Sequence, residues 1–306
     1  MINKTPIMTN KEYNINSAKV NIPFPNKFSE FKNLIINSEN IEFENEKNNI
    51  IKVEYGMGKD AIENIANHCN HKLKGTTTKK ASLNIVYNFN KENLNLASYI
   101  EIKALHDTNI TIIYSSQDEE ANFLNSILKI EAVNKAKVTI NIINLLNKIS
   151  NDYITIESIV GENANTEINV IDLGSLNSLQ NIYGKALGSN SKVKINSMYM
   201  GNNEETKDLN YITHLIGENA NVTIDVIGAL NENSTKSFKG TIDFKQGCKK
   251  SKGEEKEHCV LLSKTAVSKA LPILLCNEED VEGAHSSSSR KCRTRTNLLY
   301  YDKRTR

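Results

Sequence analysis

A short alternating segment recurs about every 28 residues, a period in the range typical of stacked repeats, and it restricts the possible folds more than any other feature of the chain. Two of the turns that introduce the segment are almost identical, Gly161–Asn165 and Gly217–Asn221. Such a unit cannot bury an apolar face alone, so neighbouring copies must stack into a solenoid. The positions that align in successive copies are Leu83, Ile110, Val138, Thr166, Val193 and Val222.

Each repeat contains a second alternating segment before its turn, as in Tyr153–Ile159 and Tyr211–Ile216. A period of two is typical of strands with one buried face, and Val, Ile and Thr favour strands over helices. Gly and Asn in the turns tolerate the positive φ angles of tight corners. A repeat of this length is short for a four-stranded propeller blade. We therefore predict a right-handed parallel β-helix with two strands per repeat.

The repeat also predicts the domain organisation. Residues 1–80 lack it and contain helical patterns at Phe28–Ile36 and Lys59–Cys69, which predicts a small N-terminal cap region of mixed or helical structure. The predicted β-helix core covers residues 81–289.

Composition narrows the functional class. The 38 basic and 36 acidic residues nearly balance, so the chain has no overall field for nucleic acid or an anionic membrane. Residues 1–10 lack the apolar run of a secretory signal, and no uncharged apolar stretch approaches the length of a membrane span. We expect a cytoplasmic protein with free thiols, because the five cysteines include no C-x-x-C pair.

The most specific motifs lie between residues 236 and 285. In chain order they are Phe238–Ile242, Gly247, Glu255–Leu262, Pro272–Leu274 and Asp280–His285. In this order they resemble the C-terminal half of the SufB/SufD core domain, a family of iron–sulfur cluster assembly proteins. The resemblance covers about residues 80–289, and the last motif is more similar to SufD than to SufB.

The resemblance implies a non-catalytic scaffold subunit. Such a subunit pairs with a SufB-like protein through the β-helix, binds a SufC-like ATPase through its C-terminal region, and meets a transient iron–sulfur cluster at the partner interface. The chain contains no phosphate-binding Gly-rich motif, so we expect it to bind no nucleotide by itself. We expect neither nucleic acid nor membrane as a partner.

The resemblance also points to the site residues. His285 ends the last motif and is implied to lie near the cluster, where its imidazole is a possible iron or iron–sulfur ligand. The alternative is a histidine that only forms hydrogen bonds at a strand end or interface. The implied interface consists of Val281, Gly283, Ala284 and His285. Cys276 is a candidate second ligand, with a small buried hydrophobic residue as the alternative.

Other candidates favour structural interpretations. Residues 278–280 are acidic and could attract iron, but an acidic turn between strands is usually a solvated corner. Cys248, His258 and Cys259 match no zinc spacing, and the charged run between them predicts a mobile hairpin tip or solvated loop. The histidines and thiol of residues 68–71 lack a fourth ligand. His106 and His214 lie alone in strand patterns.

Residues 290–306 depart from the family pattern, since seven of these seventeen residues are basic and one is acidic. A basic tail for nucleic acid or membrane is one interpretation. Another is a frameshifted remnant of the C-terminal helical domain, because AT-rich codons read one nucleotide later can restore a Gly and acidic residues. If the tail is genuine, binding of the SufC-like ATPase is doubtful.

Two alternative functions remain open. A purely structural solenoid could bind a protein partner edge to edge without any role for His285. A carbohydrate-active β-helix enzyme is the other alternative, but the chain contains no Trp and no paired carboxylates recurring at the repeat spacing.

Overall fold

The computed structural model describes residues 2–9, 15–20, 22–44 and 51–291 of the chain. Over these residues it contains one helix, α1 (Lys59–His68). The strands are β1 (Leu34–Phe43), β2 (His71–Phe89), β3 (Asn95–Ala104), β4 (Thr108–Ser116), β5 (Phe123–Ala132), β6 (Lys137–Leu145), β7 (Asn151–Val160), β8 (Asn165–Asp172), β9 (Asn177–Ala186), β10 (Lys192–Gly201), β11 (Thr206–Leu215), β12 (Asn221–Leu230), β13 (Thr235–Phe244), β14 (Ser251–Leu261), β15 (Val267–Cys276) and β16 (Val281–Lys291).

The strands form a parallel solenoid of about eight coils with roughly 29 residues in each coil. The odd-numbered strands β3 to β15 pair in sequence to form one wall, which we call the odd sheet, and β4 to β16 form the even sheet. The long strand β2 joins the two, because its residues 71–76 pair with β3 and its residues 81–89 pair with β4. The predicted parallel β-solenoid is therefore confirmed.

The space between the two sheets, which we call the lumen, holds the main apolar core. Along the even sheet every second side chain points into it, and paired residues of successive coils form columns. The column that begins at Leu83 continues with isoleucine through β4, β6, β8, β10 and β12, and these six side chains are completely buried. Their burial is why the alternating repeat was visible in the sequence.

The observed strand register differs from the sequence alignment of the repeats at one place, between β4 and β6. Ile110 pairs with Ile140 and not with Val138, because the coil between the paired positions is two residues longer than the alignment assumed. Val138 and Ile140 point to the same face, so the predicted buried face is unchanged.

One corner of the solenoid is built from residues with positive φ. Asn163, Asn190 and Asn219 have φ between 54° and 59° and occupy the same place in three successive coils. The side-chain amide of Asn190 donates to Asn163 at 3.2 Å, and that of Asn219 donates to Asn190 at 2.6 Å. Asn tolerates the left-handed conformation, and here it also links one coil to the next.

The N-terminal region covers the outer face of the odd sheet. Helix α1 lies against β3 and β5, and Asn125 donates to the Ala61 carbonyl at 2.9 Å. Asn3 is fully buried, and its amide donates to Asp208 at 2.6 Å beside Lys239. Most residues of β5 to β13 on the odd sheet are consequently buried on both faces.

The predicted helix at Lys59–Cys69 is confirmed by α1. The predicted helical pattern at Phe28–Ile36 is wrong, because β1 begins at Leu34 and pairs antiparallel with β2. The apolar residues of that segment cover the sheet edge and the first coil, and this tertiary contact overrides the local pattern. No helix of the described part of the chain is long and apolar enough to cross a membrane.

Candidate functional site at the open end of the solenoid

The last coil, β15 and β16, leaves one end of the solenoid open. β15 pairs with β13 and β16 pairs with β14, and neither has a second neighbour among the described residues. Every residue of β16 after Val281 is exposed, including His285, Gly283 and Ala284. The predicted site and interface residues therefore lie together on one exposed edge strand.

The backbone of β16 offers hydrogen-bonding groups to solvent. The Lys252 N–H donates to the carbonyl of Ala220, the residue before β12. The backbone N–H and C=O groups of even-numbered β14 residues therefore point toward β12, and those of odd-numbered residues point toward β16. β14 and β16 pair without a register shift, with Glu255 opposite His285. In a parallel ladder this arrangement turns the N–H and C=O groups of Gly283, His285 and Ser287 away from β14.

The edge of β15 differs from that of β16. The Val267 N–H donates to the Ser234 carbonyl, and the Asn277 N–H donates to the Phe244 carbonyl. The backbone N–H and C=O groups of odd-numbered residues in this segment therefore point toward β13. Pro272 is an even-numbered residue, so its backbone nitrogen and carbonyl point toward the open edge in the middle of the strand. Because proline has no N–H, it weakens the edge of β15 as a template for another strand.

Four residues meet at one level of the open lumen. The isoleucine column of the even sheet ends at Ile224, and the next two positions are Glu255 and His285. A Cβ on Gly240 would collide with the Glu255 carboxylate, so Glu255 reaches across the lumen to Gly240. Gly240 is in turn paired with Pro272. The motif residues Gly240, Pro272 and His285 thus surround Glu255.

Glu255 and its neighbour Glu257 have different environments. Burial, and then the charge of Glu257, raise the pKa of Glu255 to about 8. Glu257 is compensated, since it accepts hydrogen bonds from Lys236 at 2.7 Å and from Ser287 at 2.8 Å. Burial lowers the pKa of Lys236, and the Glu257 charge opposes that shift. Below the last coil, Glu257 is therefore paired, whereas Glu255 has no hydrogen-bond partner among the residues that the structure describes.

Cys276 does not join His285. It ends β15, is exposed, and donates its thiol hydrogen to the Glu278 carbonyl at 3.0 Å. Leu274 faces Gly283 across the lumen, which places Cys276 opposite Val281. Four strand residues, about 13 Å, separate Val281 from His285. The two side chains are therefore too far apart to share one iron in this arrangement. The alternative of a small buried Cys276 is wrong because the residue is exposed, and a ligand role for Cys276 stays a prediction.

The acidic residues 278–280 lie in the turn between β15 and β16. Glu278 accepts the Gly247 N–H at 2.9 Å, and this hydrogen bond lowers the pKa of its carboxyl. Glu279 and Asp280 are exposed. The turn is a solvated corner fixed to the coil below.

The prediction of a mobile loop between Cys248 and Cys259 is wrong, because β14 occupies most of this segment. Glu255, Glu257 and Cys259 point into the lumen, whereas His258 points outward and contacts Ser288 at 2.6 Å. Sequence reasoning missed Glu255 and Glu257 because charged residues occupy the positions that are apolar in earlier coils. The available signal was the place of Glu255 in the repeat, one coil after Ile224.

The remaining histidines have structural contacts or lie in turns. His68 stacks on Phe28 at 5.3 Å, and His71 contacts the Tyr87 hydroxyl at 2.6 Å. His214 is buried beside Tyr183, but His106 lies in an exposed turn and not in a strand. Across the described residues, no group of three or more His, Cys, Asp or Glu side chains could hold a metal ion.

The fold defines a two-sheet β-solenoid whose last strand pairs on one side only within the described part of the chain. Residues 87–304 match the family described as SUF system FeS cluster assembly, SufBD core domain. The chain belongs to this family, and its role is in iron–sulfur cluster assembly in the SUF system. The matched range continues past residue 289 into the basic tail. No curated protein matches the chain.

Proposed function

We propose that this chain is a SufD-like, non-catalytic scaffold subunit that pairs with a SufB-like protein through the edge of β16. The main support for this proposal is the exposed strand β16, whose backbone groups at Gly283, His285 and Ser287 point away from the solenoid. A strand with unpaired N–H and C=O groups is a template for a partner strand.

The asymmetry of the two edges supports β16 over β15 as the pairing strand. Pro272 interrupts the donors of β15, whereas β16 contains no proline between Val281 and Lys291. β16 also carries small side chains, four consecutive serines after His285, which allow another backbone to approach. A partner strand therefore adds to the even sheet and continues its ladder.

His285 is the proposed contact with the cluster, which is the cargo of the assembly. Its exposed side chain lies on the lumen side of the pairing strand, and its backbone faces the partner. An imidazole nitrogen binds iron and can replace a thiolate at an iron–sulfur centre. The partner would supply the thiolate ligands, because Cys276 lies at a different level.

A SufC-like ATPase is the proposed third subunit, bound through the C-terminal region. Residues 292–306 lie outside the described residues, so the predicted basic tail and its frameshift origin stay predictions. Contact with the ATPase depends on that region, and we expect it to be weaker than the contact with the SufB-like subunit.

Capture from native extract tests the assignment. Tagged full-length chain should recover a SufB-like protein, identified by mass spectrometry, together with a smaller amount of a SufC-like ATPase. Recovery of neither would reject the proposed function. A His285→Ala variant separates the scaffold from the purely structural solenoid: it should capture the partner normally but load less cluster, measured by absorption and iron content. Unchanged loading would favour the structural solenoid.

A further inference from the structure

We infer that Glu255 and His285 together form this chain's half of a divalent metal site at the open mouth of the lumen, the remaining ligands coming from the docked partner or water. The inference rests on the proposed function and deepens it, because it adds a carboxylate to the imidazole implied by the family resemblance. An imidazole nitrogen and a carboxylate oxygen suit ferrous iron and similar divalent ions.

The column of the even sheet changes from apolar to polar side chains at its open end. Six completely buried apolar side chains, from Leu83 to Ile224, fill this column in the earlier coils. At the seventh position the chain places Glu255, and at the eighth His285. A leucine or isoleucine at position 255 would continue the core, so stability alone does not account for a carboxyl group there.

Glu255 has no hydrogen-bond partner within the described ranges. Its side chain is 1% exposed, and no described residue forms a hydrogen bond with its carboxyl group. A buried carboxyl group without a partner is unfavourable unless something else compensates it. Glu257, which points into the lumen from the same strand, shows the alternative, since Lys236 and Ser287 compensate its charge.

The pairing of β14 with β16 brings Glu255 and His285 side by side. Directly paired residues of neighbouring parallel strands point the same way and lie about 4.8 Å apart, so Glu255 and His285 can approach one ion between them. Gly240 leaves space for the Glu255 carboxyl, since a Cβ there would collide with it. Pro272, paired with Gly240, forms the opposite rim of the mouth. His285 is exposed, so it can move aside to admit an ion.

Within the described part of the chain the proposed site is only half complete. The described residues contain no set of three His, Cys, Asp or Glu ligands that could hold a metal ion. A site with two protein ligands keeps open positions for water or for groups of a second protein. Its place directly beside the pairing edge of β16 fits completion by the SufB-like subunit.

Anaerobic titration of the full-length chain with Co²⁺, followed by visible absorption, tests the inference. We expect one Co²⁺ bound per chain, with an affinity at least tenfold lower in Glu255→Gln and in His285→Ala. The loss of affinity in the double variant should be smaller than the product of the two single losses, because both ligands share one ion and their contributions are coupled. The matched control is His258→Ala, an exposed histidine on the opposite face of β14, which should change the affinity less than twofold.

Thermal unfolding shows whether a loss of Co²⁺ affinity comes from a destabilised fold. Glu255→Gln is nearly isosteric, and Glu255→Leu continues the apolar column, so both should unfold at or above the temperature of the unmodified chain while binding Co²⁺ at least tenfold more weakly. An unchanged affinity in Glu255→Gln would overturn the inference. A loss in His258→Ala equal to that in His285→Ala would also overturn it, as would a wild-type chain that binds no Co²⁺.

The outcome is separable from that of the proposed function. Glu255→Gln should still capture the SufB-like partner, because the carboxyl group lies below the pairing strand. Normal capture with unchanged Co²⁺ affinity rejects the metal site alone. Failure of the wild-type chain to capture a partner rejects the proposed function and leaves the Co²⁺ result as a property of the chain.

Discussion

The two ends of the solenoid are finished in different ways. At the N-terminal end β1 pairs antiparallel with β2, and Phe31 packs into the core against Tyr87 and Phe89 at ring distances of 5.7 and 5.0 Å. At the C-terminal end no other described strand pairs with the outer edges of β15 and β16, and the lumen beneath them holds Glu255 and the Lys236–Glu257 pair. Aromatic rings and a covering strand close one end, whereas charged groups and free backbone mark the other.

The N-terminal end is built for stability, whereas the C-terminal end has the features of a binding surface. Repeat proteins need a cap where stacking stops, because an uncapped end exposes apolar surface and unpaired strands. The N-terminal end meets that need within the chain. Among the described residues the C-terminal end does not, and the SufB-like partner proposed above would supply the missing cover.

The largest expected effect concerns the buried ion pair below the open end. Lys236→Met leaves the Glu257 carboxylate without its cation in a fully buried position, so the free energy of unfolding should fall by about 3–5 kcal/mol. Lys236→Met combined with Glu257→Gln should recover most of the loss. Urea unfolding of the two variants provides the measurement, and equal stability of both would show that the charge imbalance is not the cause.

A similar effect is expected at the closed end for a different reason. Phe31→Ala removes an aromatic side chain that is 3% exposed, and such substitutions lower the free energy of unfolding by about 3–5 kcal/mol. Leu274→Ala at the open end is the matched control, because Leu274 is 39% exposed, and it should cost less than about 1.5 kcal/mol. Comparable losses in urea unfolding would contradict the contrast between the ends.

The closed end should also respond to acid. Burial lowers the pKa of His71 from 6.5 to about 4. The unfolded chain therefore takes up a proton that the folded chain excludes, so stability is complete above pH 6.5 and declines as the pH falls to about 4. The loss attributable to His71 is at most about 3 kcal/mol. In His71→Gln that part of the decline should disappear from urea unfolding measured between about pH 4 and pH 7.

The smallest effect on stability, but a large one on pairing, is expected at the edge of β16. Ser289→Pro removes an N–H that faces away from β14, so it should change the free energy of unfolding by less than about 1 kcal/mol and still abolish partner capture. Ser286→Pro instead removes a donor within the β14–β16 ladder and should destabilise the last coil by about 1–3 kcal/mol. Capture by Ser289→Pro at the wild-type level would exclude β16 as the pairing edge.

The sequence predicted the solenoid because most coils repeat the same apolar column, and it predicted α1 because that segment has one apolar face. It did not predict β1, whose residues fit a local helical pattern but pair with β2. A single chain carries no signal for antiparallel closure of one end. Contacts distant in sequence determine that closure.

The site was predicted only in part, for a related reason. His285 was placed by its motif, and the structure puts it on an exposed edge strand. Glu255 was overlooked because the Lys-Gly-Glu-Glu-Lys-Glu run around it has the composition of a solvated loop. A highly charged segment is usually expected to be exposed to solvent. In a solenoid, however, the register with the previous coil decides which charged side chains point inward. The metal function of either residue stays a prediction.

The column of left-handed asparagines at one corner has a consequence for how this chain can change in length. Asn163, Asn190 and Asn219 must stay in line for their amides to connect successive coils. An insertion or deletion of a few residues on their side would break that line, whereas the removal or duplication of a complete coil would preserve it. Length variation in such proteins should therefore occur in whole coils or at the opposite corner, with the distance between the two ends growing in fixed steps.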